Sequence, residues 1–358
     1  MKKYIIDVLA CPLCLSSSLK PAIYTQSENE IIEGILKCSH CGEEYPIKEK
    51  IPRMIPSDSL ESNDFAIEKK DIIKKHQQVR NANITYHDIA ADTYDEDEAE
   101  SVHQNKFNQD RIEKIIKDLS QRDGNDNSFF LDIGCGTGNI LKFGEKYFQH
   151  AVGIDVSINM LKLANKRGME VIQADSLFLP FKPNTFDAVS IFSVLHHIYD
   201  YSSIFVQIGR VLKKGGFLYS DWDLQKTPEM EDKFSLRLCC FIFSALKKLK
   251  LHRNISDTEI SKIEQVDFRK DHPEIKELYN LAEYHEKSEK RGLDPSLIQT
   301  KLFKAGFRNV SIKGHWQGKS FKELKLDLLQ RLEFKLKSKL SKNIIDRFME
   351  NLMIIAQK

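Results

Sequence analysis

The chain has 358 residues, of which 30% are charged and 41% hydrophobic, with a formal net charge of +2 at pH 7. This length accommodates a full α/β domain and a smaller unit, and the near-neutral charge favours neither a nucleic-acid partner nor its absence. No apolar run approaches the roughly 18 residues of a membrane span, and the first residues lack the apolar core and cleavage site of a signal peptide. We therefore expect a cytoplasmic protein.

Residues 1–57 are expected to form a separate unit because they contain two CxxC pairs. Such pairs place four thiolates tetrahedrally around one structural Zn²⁺, and this closed set leaves no open position for catalysis. Four unlinked thiols are the alternative. Between the pairs, alternating residues predict a short β-hairpin. The expected zinc ligands are Cys11, Cys14, Cys38 and Cys41.

The residues around these cysteines carry a resemblance. Ile-Ile-Asp-Val-Leu-Ala-Cys-Pro-Leu-Cys and the stretch from Leu-Lys-Cys-Ser-His-Cys-Gly to Ile-Pro-Arg-Met-Ile-Pro cover nearly all of residues 2–56. They resemble the zinc-ribbon activator subunit of tRNA, rRNA and translation-factor methyltransferases and its stand-alone bacterial relatives. The resemblance implies a ribbon that stabilises or docks onto a methyltransferase, here in the same chain.

The segment 58–128 is polar, with helical patterns. Apolar residues between Phe107 and Leu119 recur along one helix face, so this helix should pack on a sheet. From residue 129 to residue 358, strand and helix patterns alternate, which predicts a parallel sheet with helices on both faces. The predicted strands are Phe129–Ile133, Ala151–Asp155, Glu170–Ala174, Phe186–Phe192, Gly215–Asp221, Arg308–His315 and Leu352–Ala356.

A glycine turn follows the first of these strands, in Leu-Asp-Ile-Gly-Cys-Gly-Thr-Gly-Asn. Such a turn lets the backbone approach a ligand closely. The dinucleotide fingerprint needs glycine where this sequence has Asn139. The pattern instead resembles the first motif of class I S-adenosylmethionine (SAM) methyltransferases. That resemblance implies a seven-stranded Rossmann-like sheet that ends in a reversed hairpin of its last two strands, with SAM as cofactor.

Several cofactor-binding positions follow from this resemblance. Asp155 ends the second strand, where a carboxylate accepts hydrogen bonds from the ribose hydroxyls; capping of the next helix is the alternative. Asp175 ends the third strand and would accept from the adenine amino group, whereas loop solvation is the alternative. A covering segment, Tyr86–Asp95, would place Tyr94 or Tyr86 near the methionine end. The full expected set is Asp132, Gly134, Cys135, Gly136, Gly138, Asp155, Val156, Asp175, Ser176, Leu177, Phe192 and Tyr94.

The stretch from Phe192 to Ile198 indicates which class of acceptor receives the methyl group. It lacks the Asn-Pro-Pro-Tyr type motif of enzymes that methylate nucleobase amino groups or glutamine amides, and is similar to small-molecule methyltransferases of quinone and sterol type. His197 and His196 stand where a base could take a proton from the acceptor. The alternative is that both only pack at the strand end.

Two segments, about 224–292 and 319–349, read as helical insertions that could form substrate lids. Within the first, 234–253 is amphipathic and basic at its end, which suits a core helix, a lid over an apolar acceptor, or contact with an anionic membrane surface. We expect methyl transfer to a small-molecule or lipid-like acceptor. Alternatives are an RNA acceptor, favoured by 14 Lys and Arg against 5 Asp and Glu in residues 301–358, and a non-catalytic SAM-binding scaffold.

Overall fold

The computed structural model describes residues 1–56, 67–97, 106–121, 127–224, 278, 281–282, 292–315 and 351–358. The predicted insertions lie almost wholly outside these residues, and the basic stretch 234–253 lies wholly outside them. Within the described part of the chain, no helix combines the length and apolar character needed to cross a membrane.

The N-terminal unit is a small antiparallel sheet. Its strands follow a short helix and pair in sequence order, with Leu19 opposite Cys38 in the first pair. This hairpin contains the two segments whose alternation predicted it. The elements are α1 (Ile5–Val8), β1 (Leu19–Ser27), β2 (Glu30–Cys38), β3 (Glu44–Lys48) and β4 (Ile51–Pro52).

The larger unit is a seven-stranded sheet in the order β10-β11-β9-β8-β5-β6-β7, in which β11 runs antiparallel to β9 and β10. Every residue of β8 is buried, as expected for a central strand covered on both faces. This architecture confirms the predicted Rossmann-like fold with an N-terminal ribbon. The strands are β5 (Phe129–Ile133), β6 (His150–Asp155), β7 (Val171–Gln173), β8 (Phe186–Phe192), β9 (Leu212–Leu224), β10 (Arg308–His315) and β11 (Asn351–Gln357).

Helices cover the sheet and the ends of its strands. Ile112, Ile116 and Leu119 lie on one face of α4, and this face packs into the core. The helices are α2 (Ile67–Ala90), α3 (Tyr94–Asp97), α4 (Lys106–Ser120), α5 (Leu141–Tyr147), α6 (Ile158–Lys166), α7 (Tyr201–Val211) and α8 (Pro295–Lys304).

The ribbon covers the edge of the large sheet at β7. Arg53 bridges Gln173 in a parallel register, and the backbone N–H of Met54 donates to the Gln173 carbonyl at 2.7 Å. Leu9 and Phe181 are fully buried where a second bridge joins the two units. One continuous hydrophobic core therefore runs from the ribbon into the sheet. The ribbon also occupies a strand edge that would otherwise be unpaired, directly before Asp175.

Candidate functional site

The glycine turn after β5 forms one wall of a cavity. Gly134 and Gly138 have positive φ, and an added Cβ would come within 2.3 Å of the Val194 side chain and 2.1 Å of Met169 Sδ, respectively. Gly136 also has positive φ, but a Cβ there would meet nothing within 4 Å, and the residue lines the cavity. The outer two glycines thus permit close packing, while the middle one keeps backbone exposed to a ligand.

Asp155 is held rigidly at the end of β6. Its Oδ2 accepts from the Gly136 N–H at 2.9 Å and its Oδ1 from the Ser157 N–H at 2.8 Å. Burial raises the pKa of its carboxyl group, against the effect of these hydrogen bonds. The N-cap of α6 is Ser157, whose hydroxyl accepts from Met160 N–H. Asp155 therefore braces the glycine turn against the start of α6 and lines the cavity.

Asp132 lies beneath the turn and is 1% exposed. The Ser190 hydroxyl donates to its Oδ1 at 2.5 Å, whereas its Oδ2 has no hydrogen-bond partner within the described ranges. Burial, helped by the charge of Asp155, raises the pKa of the Asp132 carboxyl group to about 7. Asp132 is therefore part of the support beneath the glycine turn.

Asp175, at the far end of the cavity, is 1% exposed and is not solvated. His76 Nε2 lies 2.8 and 3.1 Å from its two oxygens, Arg80 donates to Oδ2 at 3.4 Å, and the Leu177 N–H donates to Oδ1 at 2.9 Å. Burial would raise the pKa of Asp175, but His76 and Arg80 outweigh it and lower that pKa. Both oxygens of this carboxylate therefore have protein donors.

Helices α2 and α3 cover the cavity and are anchored to it by carboxylates. Asp88 on α2 accepts from the Ser157 hydroxyl at 2.5 Å and from the Asn159 N–H at 3.0 Å. On α3, Asp95 accepts from the Thr137 hydroxyl at 2.7 Å. It also accepts from Asn139 Nδ2 at 3.1 Å and pairs with Arg167. The covering segment is therefore fixed to both the glycine turn and α6.

The two candidate base histidines occupy different environments. His197 lines the cavity, its Nδ1 lies 3.1 Å from the Ala282 carbonyl, and burial holds its pKa well below the ordinary value. His196 is 5% exposed, and its Nδ1 lies 2.9 Å from Asp223 Oδ1. The two rings are 4.0 Å apart between centroids, and the ring of His87 lies 5.3 Å from that of His197. His197 therefore faces the ligand space, with His196 behind it.

The cavity has an empty volume of about 790 Å³. The sequence-predicted residues on its wall are Tyr94, Gly134, Gly136, Asp155, Val156, Asp175, Ser176, Phe192 and His197. The predicted residues Asp132, Cys135, Gly138, Leu177 and His196 are outside this lining. Cys135 is buried, and its sulfur lies 2.6 Å from where a Cβ on Gly153 would stand, so it fills space behind the turn.

Sequence reasoning missed the contribution of α2. His76, Arg80, Asn83 and His87 all line the cavity and recur at three- to four-residue intervals, as expected for one helix face. The spacing was visible in the sequence, but polar residues on one face of a charged helix are usually solvated. Only the packing of α2 across the strand ends distinguishes a cavity wall from a solvated face.

The four predicted zinc ligands come together in the ribbon. Their sulfur atoms all lie within 4.8 Å of one another, with Cys11–Cys41 and Cys14–Cys38 separations of 3.6 Å. Tetrahedral zinc with bonds of about 2.3 Å places sulfurs about 3.8 Å apart, so the cluster fits the ion. The Tyr45 hydroxyl, 3.1 Å from Cys11 Sγ, is placed to donate to a thiolate. These residues can therefore hold a structural zinc.

Comparison with protein families identifies both units. Residues 131–220 match the family described as a methyltransferase domain, and residues 2–49 match the Trm112p-like protein family. With the seven-stranded sheet and the cysteine cluster, these matches confirm the predicted combination of a zinc ribbon and a class I methyltransferase domain.

The individual proteins that this chain resembles have different functional descriptions. An uncharacterized protein of Methanocaldococcus jannaschii is 37% identical over 37% of this chain and 47% of its own length. The probable tRNA methyltransferase 9B of Mus musculus is 36% identical over 30% of this chain and 23% of its own. The demethylmenaquinone methyltransferase of Staphylococcus saprophyticus is 30% identical over 29% and 47%. This chain thus spans less than half the length of each relative.

Among solved structures, one similar chain comes from the complex between the Haloferax volcanii Trm112 methyltransferase activator and the putative methyltransferase. It is 14% identical, covering 76% of this chain and 96% of that chain, with a TM-score of 0.43.

Proposed function

We propose that the chain is a SAM-dependent methyltransferase that binds its cofactor in the cavity between the strand ends and α2. The observation that carries this proposal is the alignment of Gly136, Asp155 and Asp175 along one cavity wall, at the ends of three adjacent parallel strands. Ligands of open α/β sheets bind at this edge. The match of residues 131–220 to a methyltransferase domain supports the same conclusion.

Each part of the cofactor would have a partner in this arrangement. Asp155 already accepts two backbone hydrogen bonds, which fix its orientation, and a carboxylate has about four acceptor sites, so it can also accept from two ribose hydroxyls. Asp132 lies beneath the glycine turn and outside the cavity lining, so it would support the turn that contacts the methionine part. Gly136 lets the backbone approach the ribose. When bound, the cofactor supplies an activated methyl group on a sulfonium.

At the other end of the cavity we assign His197 as the candidate base. If Nδ1 donates to the Ala282 carbonyl, Nε2 has no proton and can accept one. Burial holds its pKa well below the ordinary value, so the ring is neutral near pH 7 but is a weak base, which favours positioning of the acceptor over proton removal. His196 lies behind His197 and would support its position, and Asp223 would hold the His196 ring in place. Where in-line positioning alone drives transfer, His197 would only orient the acceptor.

For the acceptor, we favour an uncharged small or lipid-like molecule. The cavity lining that includes His197 also contains the rings of His87, Tyr94 and Phe192, and the His87 ring lies 5.3 Å from that of His197. Burial, with the nearby His197 and His196, lowers the pKa of His87 to about 3, so that ring is also uncharged. The single cation among the described lining residues, Arg80, is already engaged with Asp175. The similarity to a demethylmenaquinone methyltransferase is consistent with an apolar acceptor.

RNA is the second candidate acceptor, and specific observations favour it. The chain combines a Trm112p-like domain with similarity to a probable tRNA methyltransferase. The excess of basic residues in 301–358 could follow a phosphate backbone. A flipped base could also enter a neutral cavity, so the rings around His197 do not decide against RNA.

The experiment is tritiated SAM with purified protein and separate lipid, small-molecule and RNA fractions of a cell extract. Label in an organic-soluble product supports the first acceptor class. Label lost when the extract is treated with ribonuclease supports the second. His197→Gln should lower transfer while leaving SAM affinity within about threefold, because His197 is placed at the acceptor end. SAM binding without transfer to any fraction would instead support a scaffold, and absence of SAM binding would refute the cofactor assignment.

A further inference from the structure

The adenine end of the cavity contains a buried group that the cofactor assignment does not use. His76 and Arg80 lie one turn apart on α2, line the cavity, and both approach the Asp175 carboxylate. That carboxylate also accepts from the Leu177 N–H. The residue expected from sequence to take the adenine amino group is therefore already occupied by protein donors.

His76 is the member of this cluster with a vacant hydrogen-bonding atom. Its side chain is 7% exposed, and its Nδ1 has no partner in the part of the chain that the structure describes. Because a carboxylate only accepts hydrogen bonds, Nε2, close to both Asp175 oxygens, carries the proton. In the neutral ring, Nδ1 is then an acceptor with an available lone pair.

A buried acceptor without a partner is unfavourable, and a ligand that brings a donor relieves that cost. The adenine amino group is such a donor.

We propose that His76 reads the adenine base of the cofactor, with Nδ1 accepting a hydrogen bond from the exocyclic amino group and Asp175 fixing the ring through Nε2. This inference rests on the proposed function and adds a specificity residue from α2 to it. It implies discrimination against hypoxanthine, which carries a carbonyl in place of the amino group, because two acceptors would then face each other.

The test is calorimetry on the full chain with S-adenosylhomocysteine and S-inosylhomocysteine. Wild type should bind the adenosyl ligand roughly tenfold to a hundredfold more tightly, the range for a buried acceptor that loses its donor. His76→Phe retains a ring of similar size without nitrogens, and should narrow the ratio to below about threefold. Lys74→Ala, on the exposed side of the same helix, should keep the wild-type ratio.

Failure of the inference and failure of the proposed function look different in this experiment. Equal binding of both ligands by wild type overturns the reading role of His76 while leaving the SAM site intact. A wild-type preference that persists in His76→Phe also overturns it, because another group then reads the base. If neither ligand binds wild type, the proposed function itself fails. Should His76→Phe not fold, His76→Leu, which also has no acceptor atom, should lower the ratio to below about threefold, and an unchanged ratio in it overturns the inference.

Discussion

Among the carboxylates that attach the covering helices to the cavity, Asp175 and Asp95 differ chiefly in burial. Asp175 receives His76 and Arg80 from α2, and the three side chains are 1%, 7% and 5% exposed. Asp95 on α3 reaches Arg167 and the glycine turn, with side chains 33% and 43% exposed for the ion pair. Both clusters pair a carboxylate with an arginine, but the Asp175 cluster is buried, whereas the Asp95–Arg167 pair is partly exposed.

This difference in burial predicts different effects of the two clusters on folding stability and on ligand exchange. A buried charge without its partner is strongly destabilising, whereas an exposed ion pair contributes little and is screened by salt. Helix α2 should therefore be an integral part of the folded domain, and α3 should be the part of the cover that opens at low cost. On the proposed cofactor placement, α2 keeps the adenine end of the cavity closed, and we expect exchange at the end covered by α3.

Removing the buried carboxylate should have the largest effect. We expect Asp175→Ala to lower the free energy of unfolding by about 3–5 kcal/mol, because it breaks a buried charge pair and removes the acceptor of His76 and of the Leu177 N–H. Chemical denaturation followed by circular dichroism measures this. The matched control is Asp118→Ala, which removes a carboxylate from the exposed pair with Lys114 and should change stability by less than about 1 kcal/mol. Equal effects of the two substitutions would contradict the comparison.

Removing the Asp155 carboxylate should have an effect of intermediate size, and it should weaken ligand binding rather than folding. Asp155→Ala is expected to weaken SAM binding by about 1.5–3 kcal/mol, the range for hydrogen bonds to a charged group. Calorimetry on a variant with wild-type circular dichroism checks this. Because Asp155 also holds Gly136 and Ser157, Asp155→Asn is a useful second variant that retains part of this bracing. An unchanged dissociation constant in folded Asp155→Ala would refute the ribose assignment.

The sheet and the ribbon ligands could be predicted because their signals are local. Strands such as Phe129–Ile133 and Phe186–Phe192 are short apolar runs bounded by turns, and two CxxC pairs specify a metal site by spacing alone. The glycine turn was equally local, although sequence could not distinguish Gly136, where a Cβ would meet open space, from Gly134 and Gly138, where it would meet neighbouring side chains. In each case the relevant information lies within a few residues.

The α2 wall could not be predicted for the opposite reason. His76 meets Asp175 across 99 positions of sequence, and nothing near His76 marks it as buried. The same holds for the pairing of Arg53 with Gln173, which places the ribbon against β7. Long-range contacts between polar residues have no periodic pattern, so only tertiary packing reveals them.

The neutral rings at the acceptor end should appear as a pH dependence of stability. The pKa of His87 is lowered to about 3 in the folded state, against an ordinary value near 6.5, so the unfolded chain binds the extra proton between these values. Stability from this residue is therefore present above pH 6.5 and is lost as pH falls. Relative to His87→Phe, wild type should lose roughly 2 kcal/mol between pH 7 and pH 5.

The variant comparison is needed because other groups titrate in the opposite sense. The pKa of Asp132 is raised to about 7, so that carboxyl group favours the folded state as pH falls, and Asp155 acts in the same direction. Subtracting the two unfolding curves at each pH isolates His87. Parallel curves for wild type and His87→Phe would show that His87 is not held neutral.

The smallest expected effect comes from the exposed anchor. Asp95→Ala removes the contacts to Thr137, Asn139 and Arg167. Because the ion pair with Arg167 is partly exposed, SAM affinity should fall by only about 0.5–1 kcal/mol. Raising the ionic strength should reduce the ion-pair part of the loss, because salt screens exposed charges, whereas the Asp175→Ala effect on stability should not shrink. Stopped-flow measurement of SAM release provides a second readout: if α3 is the part that opens, Asp95→Ala should speed release more than it slows association. A loss above about 2 kcal/mol that does not respond to salt would mean that Asp95 acts as a buried anchor like Asp175, and α3 could then not be the route for exchange.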